Sequence, residues 1–136
     1  MANYMAKKVT LIAFLGVLIN GAVQAKSLYV GQEGQKPIEV AINFLRDVLP
    51  SGDEEGYLIS SLEYKRIFCK KLEICPLQGQ VIFTLDGLND DSIVKKRYIL
   101  LLEQDVNQRW SVIKKDVDQA CRKGRGHLNF SKKPCQ

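Results

Sequence analysis

The sequence predicts an α+β protein: N-terminal helices packed on a curved antiparallel sheet, stapled by two disulfides. Three features of the chain predict it. Apolar residues recur at helical spacing through KPIEVAINFLRDVLP. From Gln78 the apolar period shortens to two, across three segments separated by short polar turns. Four cysteines, an even number, all fall in the second half of a short chain. Helical segments followed by a run of strands give segregated α+β layers, not alternating βαβ units.

The chain opens on an export signature. Lys7 and Lys8 form a positive stretch with no acid near it, and residues 9–23 are a mostly apolar run broken by Gly16, Asn20 and Gly21. Val23-Gln24-Ala25 places small residues where signal peptidase accepts them, which sets cleavage before Lys26. The run is shorter than the roughly 20 apolar residues of a membrane span. No cysteine follows the cleavage point to take a lipid. The expectation is a signal peptide over 1–25 and a soluble mature chain with no transmembrane anchor, periplasmic or extracellular. Residues 26–35 (KSLYVGQEGQ) read as a flexible lead-in and residues 36–136 as one domain.

In the oxidising space outside the cytoplasm, Cys69, Cys75, Cys121 and Cys135 read as two disulfides. Three connectivities are possible. Pro76 and the break in pattern after Lys70 let Cys69 and Cys75 turn back toward each other. That favours local pairing, Cys69–Cys75 with Cys121–Cys135, over the crossed alternatives. The second of these bonds closes residues 121–135 into a ring worth about 3 kcal/mol on a chain-entropy basis. A metal site is the competing use of cysteine. One histidine, no C-x-x-C and the wide gap in CKKLEIC do not give finger spacing. No cofactor motif is present either.

Ile38, Ala41, Ile42, Leu45, Val48 and Leu49 share one face of the first helix, with Glu39, Asn43, Arg46 and Asp47 mostly opposite. Pro37 suits the first helical position, and Pro50-Ser51-Gly52 ends the element. A second helix is expected over about residues 58–70 from Leu58, Ile59, Leu62, Ile67 and Phe68; their spacing is less regular, and part of the stretch also fits extended chain. QVIFTLDGL then alternates Val81, Phe83 and Leu85 against Ile82 and Thr84. SIVKKRYILLLEQD is long enough to curve or to carry a bulge. RWSVIKKDVDQAC sets Trp110 and Val112 on one face, Ser111 and Ile113 on the other. The turns NDDS and VNQ make these an antiparallel meander. Trp110, Tyr57, Tyr64 and Tyr98 read as core rings, not as exposed binding aromatics. Over about residues 36–121 this order resembles the cystatin-like and NTF2-like folds, a helix cradled by a curved sheet. The cystatin motif Q-x-V-x-G is absent. The resemblance implies a fold and no activity.

Little in the chain points to catalysis. One histidine excludes a two-histidine acid–base pair. A Cys–His nucleophile needs a thiolate, which a disulfide sulfur is not. Glu54-Glu55 and Asp90-Asp91 lie in turn-like stretches, where neighbouring carboxylates are ordinarily solvated. No catalytic residue is assigned, and an enzyme is the less favoured class.

Charge singles out the C-terminal stretch CRKGRGHLNFSKKPC. Two of the twenty Lys/Arg and none of the fifteen acids precede residue 26, so the remainder carries a formal +3. Arg122, Lys123, Arg125, Lys132 and Lys133 supply +5 within thirteen residues, leaving the rest of the domain at −2. Such a field favours an anionic partner: an envelope component bearing phosphates, an acidic protein surface, or, less favoured, nucleic acid, since only Phe130 lies near for stacking. The competing reading is a structural cap with solvated charges, and the balance leans to the cap. Gly124 and Gly126 flank Arg125 and suggest a fixed backbone path. The stretch resembles the C-terminal CxxGRGHxxFSxxxC signature of small uncharacterised secreted bacterial proteins, carried by Cys121, Gly124, Arg125, Gly126, His127, Phe130, Ser131 and Cys135. That resemblance implies that Arg125 and His127 belong to a unit with the disulfide; the further expectation is that Arg125, His127 and Ser131 bond backbone or one another and order the loop. The candidate binding residues are therefore Arg122, Lys123, Arg125, His127, Lys132 and Lys133. The role expected is non-catalytic binding, with an enzyme inhibitor or immunity-type protein and a small NTF2-like enzyme as the alternatives.

Overall fold

A computed structural model describes residues 26–46, 49, 58–68 and 75–136. The signal peptide expected over 1–25, the Glu54-Glu55 pair, Tyr57 and Cys69 lie outside them. A short strand β1 (Tyr29–Val30) precedes helix α1 (Pro37–Arg46). Four longer strands follow: β2 (Leu58–Ile67), β3 (Gln78–Asp86), β4 (Ile93–Gln104) and β5 (Trp110–Cys121). They form one antiparallel sheet in the order β1-β5-β4-β3-β2. The architecture is α+β, a meander from β2 to β5 with α1 on its inner face.

α1 starts where the sequence places its signals. Pro37 occupies the first position, where its missing N–H costs nothing. The Lys36 N–H donates to Glu39 Oε2 at 2.7 Å, half of a capping box. Val40, Ala41, Phe44 and Leu45 form the buried face. They pack on Val81, Phe83 and Leu85 of β3, Tyr98, Leu100 and Leu102 of β4, and Trp110 and Val112 of β5. Trp110 and Tyr98 are core rings as expected. Ile42, assigned to the buried stripe by spacing, is exposed, and Phe44 is buried instead.

The expected second helix is absent from the described residues; 58–67 is strand β2. A bulge explains the misleading pattern. Ile59 pairs with Leu85, the register shifts between Ile59 and Ser61, and Leu62 and Tyr64 then pair with Phe83 and Val81. The extra residue puts Ile59 and Leu62 on one face of a strand at a spacing of three, which in a straight chain is the mark of a helix. Tyr64 lies on that face but at its exposed edge, not in the core.

The lead-in also contributes structure. Tyr29 and Val30 pair with Val112 and Ser111, and the Tyr29 ring meets Phe44 of α1 with centroids 6.0 Å apart. Gly31 permits this approach, because a Cβ there would fall 2.4 Å from Val40 Cγ2. β4 is bulged, as its length suggested: Val94 is the extra residue where the β4–β5 register shifts between Ile93 and Lys95, and at the second shift, between Leu101 and Leu102, the extra residue is Ile113 of β5. Both shifts bend the hairpin and increase its twist.

Candidate functional site

Cys121 ends β5 and is bonded to Cys135, which closes the C-terminal stretch into a ring and excludes both crossed connectivities. This is the disulfide whose two halves lie among the described residues; Cys69, half of the other expected pair, lies outside them.

The ring is fixed at several points. Gln119 and Ser131 exchange two backbone hydrogen bonds, of 2.9 and 3.0 Å, so the loop returns along the free edge of β5. The Cys121 N–H donates to the His127 carbonyl at 2.8 Å, and the Gln136 N–H donates to the Arg125 carbonyl at 2.8 Å. Arg122 to Arg125 form a tight turn, closed by a 2.9 Å bond from the Arg125 N–H to the Arg122 carbonyl. Gly124 there has φ +84°, the left-handed value required at the third position of a type II turn. Gly126 has φ +136°, and a Cβ on it would stand 3.0 Å from Cys121 Sγ. Both glycines are demanded by the closure.

The side chains sort into fasteners and free cations. Arg122 donates through Nε to the Asp90 carbonyl at 2.6 Å and through a terminal nitrogen to the Leu88 carbonyl at 2.9 Å. Its N–H donates to the Ser92 carbonyl. Arg122 thus ties the ring to the β3–β4 turn. Lys132 Nζ bonds Asp116 Oδ1 at 2.6 Å, and Lys114 holds the other oxygen at 2.9 Å. These two ammonium groups hold the Asp116 carboxyl below the usual carboxylate range, Lys132 contributing most.

His127 has its Nδ1 2.8 Å from the Asn129 carbonyl and its Nε2 2.9 Å from the Lys133 carbonyl. Carbonyls only accept, so the doubly protonated ring donates to both and a neutral ring to one. The Ser131 hydroxyl accepts from the Lys133 N–H at 3.2 Å. His127 and Ser131 therefore order the loop, as expected of these two residues. Arg125 does not share that role: its guanidinium is exposed and has no partner among the described residues, and the same holds for the ammonium groups of Lys123 and Lys133. Three of the six candidate binding residues are thus presented to solvent from an immobilised backbone. The other three are engaged in holding it.

Cys121, His127 and Cys135 bring their ligand atoms within 4.8 Å of one another. Both sulfurs are joined to each other, so neither is a thiolate available to a metal.

Beneath the ring lies a group the sequence did not single out. Arg97 of β4 makes a two-pronged bond to Asp118 of β5, at 2.9 and 2.6 Å. The Phe130 ring covers its guanidinium, 4.3 Å from centroid to Cζ. Phe130 is thereby committed to packing the loop on the outer sheet face. No sequence spacing announces this trio, because strand register and the loop's return path bring it together.

A depression lies at the other end of the β4–β5 hairpin. It holds about 310 Å³ and is lined by Glu33, Val106, Asn107, Gln108 and Arg109. Arg109 there is paired with Asp105 at 3.0 Å. Comparison with known protein families, curated proteins and solved structures finds no match to this chain. Fold and site together define the class: a small α+β protein whose C-terminus is a disulfide-closed basic ring.

Proposed function

We propose that this is an exported, non-catalytic binding protein that holds an anionic envelope component, through phosphate groups, on Lys123, Arg125 and Lys133. One observation carries the reading: these three cations have no partner among the described residues, while the loop presenting them is closed by the disulfide and bonded to β5 and to the β3–β4 turn. Preorganised charge loses little on binding, whereas a mobile tail must be ordered first. The core supports a binder over an enzyme, since the space between α1 and the sheet is filled by Val40, Phe44, Leu45 and their apolar neighbours. A disulfide fits an oxidising compartment, and among the described residues no helix is long and apolar enough to cross a membrane. Export by the 1–25 signal, kinship with cystatin-like and NTF2-like folds, and a second bond from Cys75, which is itself disulfide-bonded, belong to the same proposal.

The test is co-sedimentation with vesicles carrying anionic lipid phosphates, against zwitterionic vesicles, at low and high salt. Binding to the anionic vesicles alone, falling with salt, is expected. Lys123→Glu, Arg125→Glu and Lys133→Glu together should abolish it with melting unchanged. Equal binding by that variant, or equal binding to both vesicle types, overturns the proposal.

A further inference from the structure

The two edges of the sheet differ. β5 is covered at one end by β1 and at the other by the Gln119–Ser131 bridge. β2 is the last strand on the opposite side, and no strand among the described residues pairs with its outer edge. A ten-residue edge of this kind leaves a row of backbone donors and acceptors open to another strand. Leu58, Ile59, Leu62, Tyr64 and the adjacent Phe68 are exposed large apolar residues, half of those exposed among the described residues. The side that lacks a partner is therefore also the side with the most uncovered apolar surface.

Register narrows the occupant. After the bulge between Ile59 and Ser61, residues 61–67 pair with β3 without a break, and Tyr64 is the midpoint of that stretch. On the outer face Glu63 and Lys65 flank the midpoint. Both are more than half exposed, and they are only loosely paired to each other at 3.5 Å. Two identical strands pair antiparallel about a two-fold axis, so the residue at the axis meets itself. An axis at Glu63 or at Lys65 sets like charges opposite, which is destabilising. An axis at Leu62 sets Glu63 against Ser61. An axis at Tyr64 sets each Glu63 opposite the other copy's Lys65, twice, and uses the whole unbroken stretch. Tyr64 lies against Gly79 of β3, where a Cβ would fall 2.6 Å from its ring. The ring thus leans across its own sheet over β3 and leaves the outer backbone edge of β2 open at Tyr64.

We infer that β2 pairs antiparallel with β2 of a second copy about a two-fold axis at Tyr64, joining two sheets into one. Glu63 and Lys65 set the register, Tyr64 meets its counterpart at the axis, and each Leu62 falls opposite the other copy's Arg66. The ring lies at the opposite edge of each sheet, so the dimer presents two basic rings and binds a multivalent surface more tightly than one copy does.

Sedimentation equilibrium on the purified protein tests this, with two single charge reversals. Wild type is expected as a dimer in the micromolar range. Glu63→Lys alone, and Lys65→Glu alone, each place like charges opposite twice and should weaken the dimer by at least about ten-fold. An equimolar mixture of the two variants restores both pairs between unlike copies, so a heterodimer should return to near wild-type affinity. Tyr64→Cys should form a disulfide-linked dimer under mild oxidation, since residues facing each other at the axis lie within disulfide reach. A monomeric wild type, a mixture that stays monomeric, or a Tyr64→Cys variant that does not cross-link overturns the inference. Because the substituted residues lie on β2, vesicle binding by the ring is read separately in the same variants.

Discussion

Gly126 meets two demands at one position. Its φ of +136° is a value that side-chain-bearing residues rarely adopt, and the space where a Cβ would sit is taken by Cys121 Sγ at 3.0 Å. Gly124 shares the first demand, at φ +84°, but has open space around it. Gly126→Ala should therefore cost more than Gly124→Ala: about 1–3 kcal/mol of strain for the first, nearer 1 for the second. Thermal melting of the two variants checks the order, and equal melting would mean that the ring accommodates the methyl group freely. Acid titration reads a different set of residues. The Asp90 carboxyl accepts the backbone N–H groups of Ile93 and Ser92 and sits below its ordinary value for that reason. Asp86 is lowered by its bond to Lys95, Asp105 by the Arg109 N–H, and Asp116 by Lys132 and Lys114. Each group is a stronger acid folded than unfolded. Their contribution is complete above the unfolded carboxylate value of about 4 and is lost as pH falls through the lower folded values. Denaturation across a pH series should give a flat stability down to about pH 4 and a fall below it. Asp90→Asn should shrink that fall; an unchanged acid limb would show that the Asp90 turn contributes nothing to it.

At the scale of elements, the sequence was most legible where one period ran unbroken. Val81, Phe83 and Leu85 alternate cleanly, and β3 lies where that alternation predicts. β5 likewise buries Trp110 and Val112 together. The helix was legible from Pro37 and its stripe, but its buried face is set by the contact with the sheet, which takes Phe44 in and leaves Ile42 out. Leu45→Ala should accordingly lower stability by about 2–5 kcal/mol. Ile42→Ala, on the exposed side, should stay within about 0.5 kcal/mol. Chemical denaturation distinguishes the two, and equal losses would mean that α1 turns a different face to the sheet. β2 was illegible for a physical reason: a bulge inserts one residue into a period of two, and a local pattern does not reveal a bulge that only pairing with β3 creates. The ring divides in the same way. Its cysteines, glycines and charges were readable, because closure and field are local properties. Its attachment through Arg97, Asp118 and Phe130 was not, because those residues meet only through register. Sequence also had no means of separating Arg122 and Lys132, which hold the ring, from Lys123, Arg125 and Lys133, which do not.

Over the whole molecule, the positive excess and the covalent closure coincide in one stretch, and their effects are separable. Opening the ring leaves every charge in place. Cys121→Ser with Cys135→Ser removes a constraint worth about 3 kcal/mol on the unfolded chain. For a domain of this size that is a fall in melting temperature of at least about 10 °C. The Gln119–Ser131 pairing and the Arg97–Phe130 contact remain available, so the opened chain still has reasons to lie along β5. What is lost is the tight path through Gly124 and Gly126 that aims Arg125. If net charge alone draws the protein to an anionic surface, the opened variant, measured well below its melting temperature, should bind such vesicles as wild type does. If the fixed arrangement of Lys123, Arg125 and Lys133 matters, it should bind more weakly at the same formal charge, with a similar dependence on salt, because the cations must now be ordered as they bind. The expected outcome is the second, and vesicle co-sedimentation of the double variant beside wild type at matched salt decides between them.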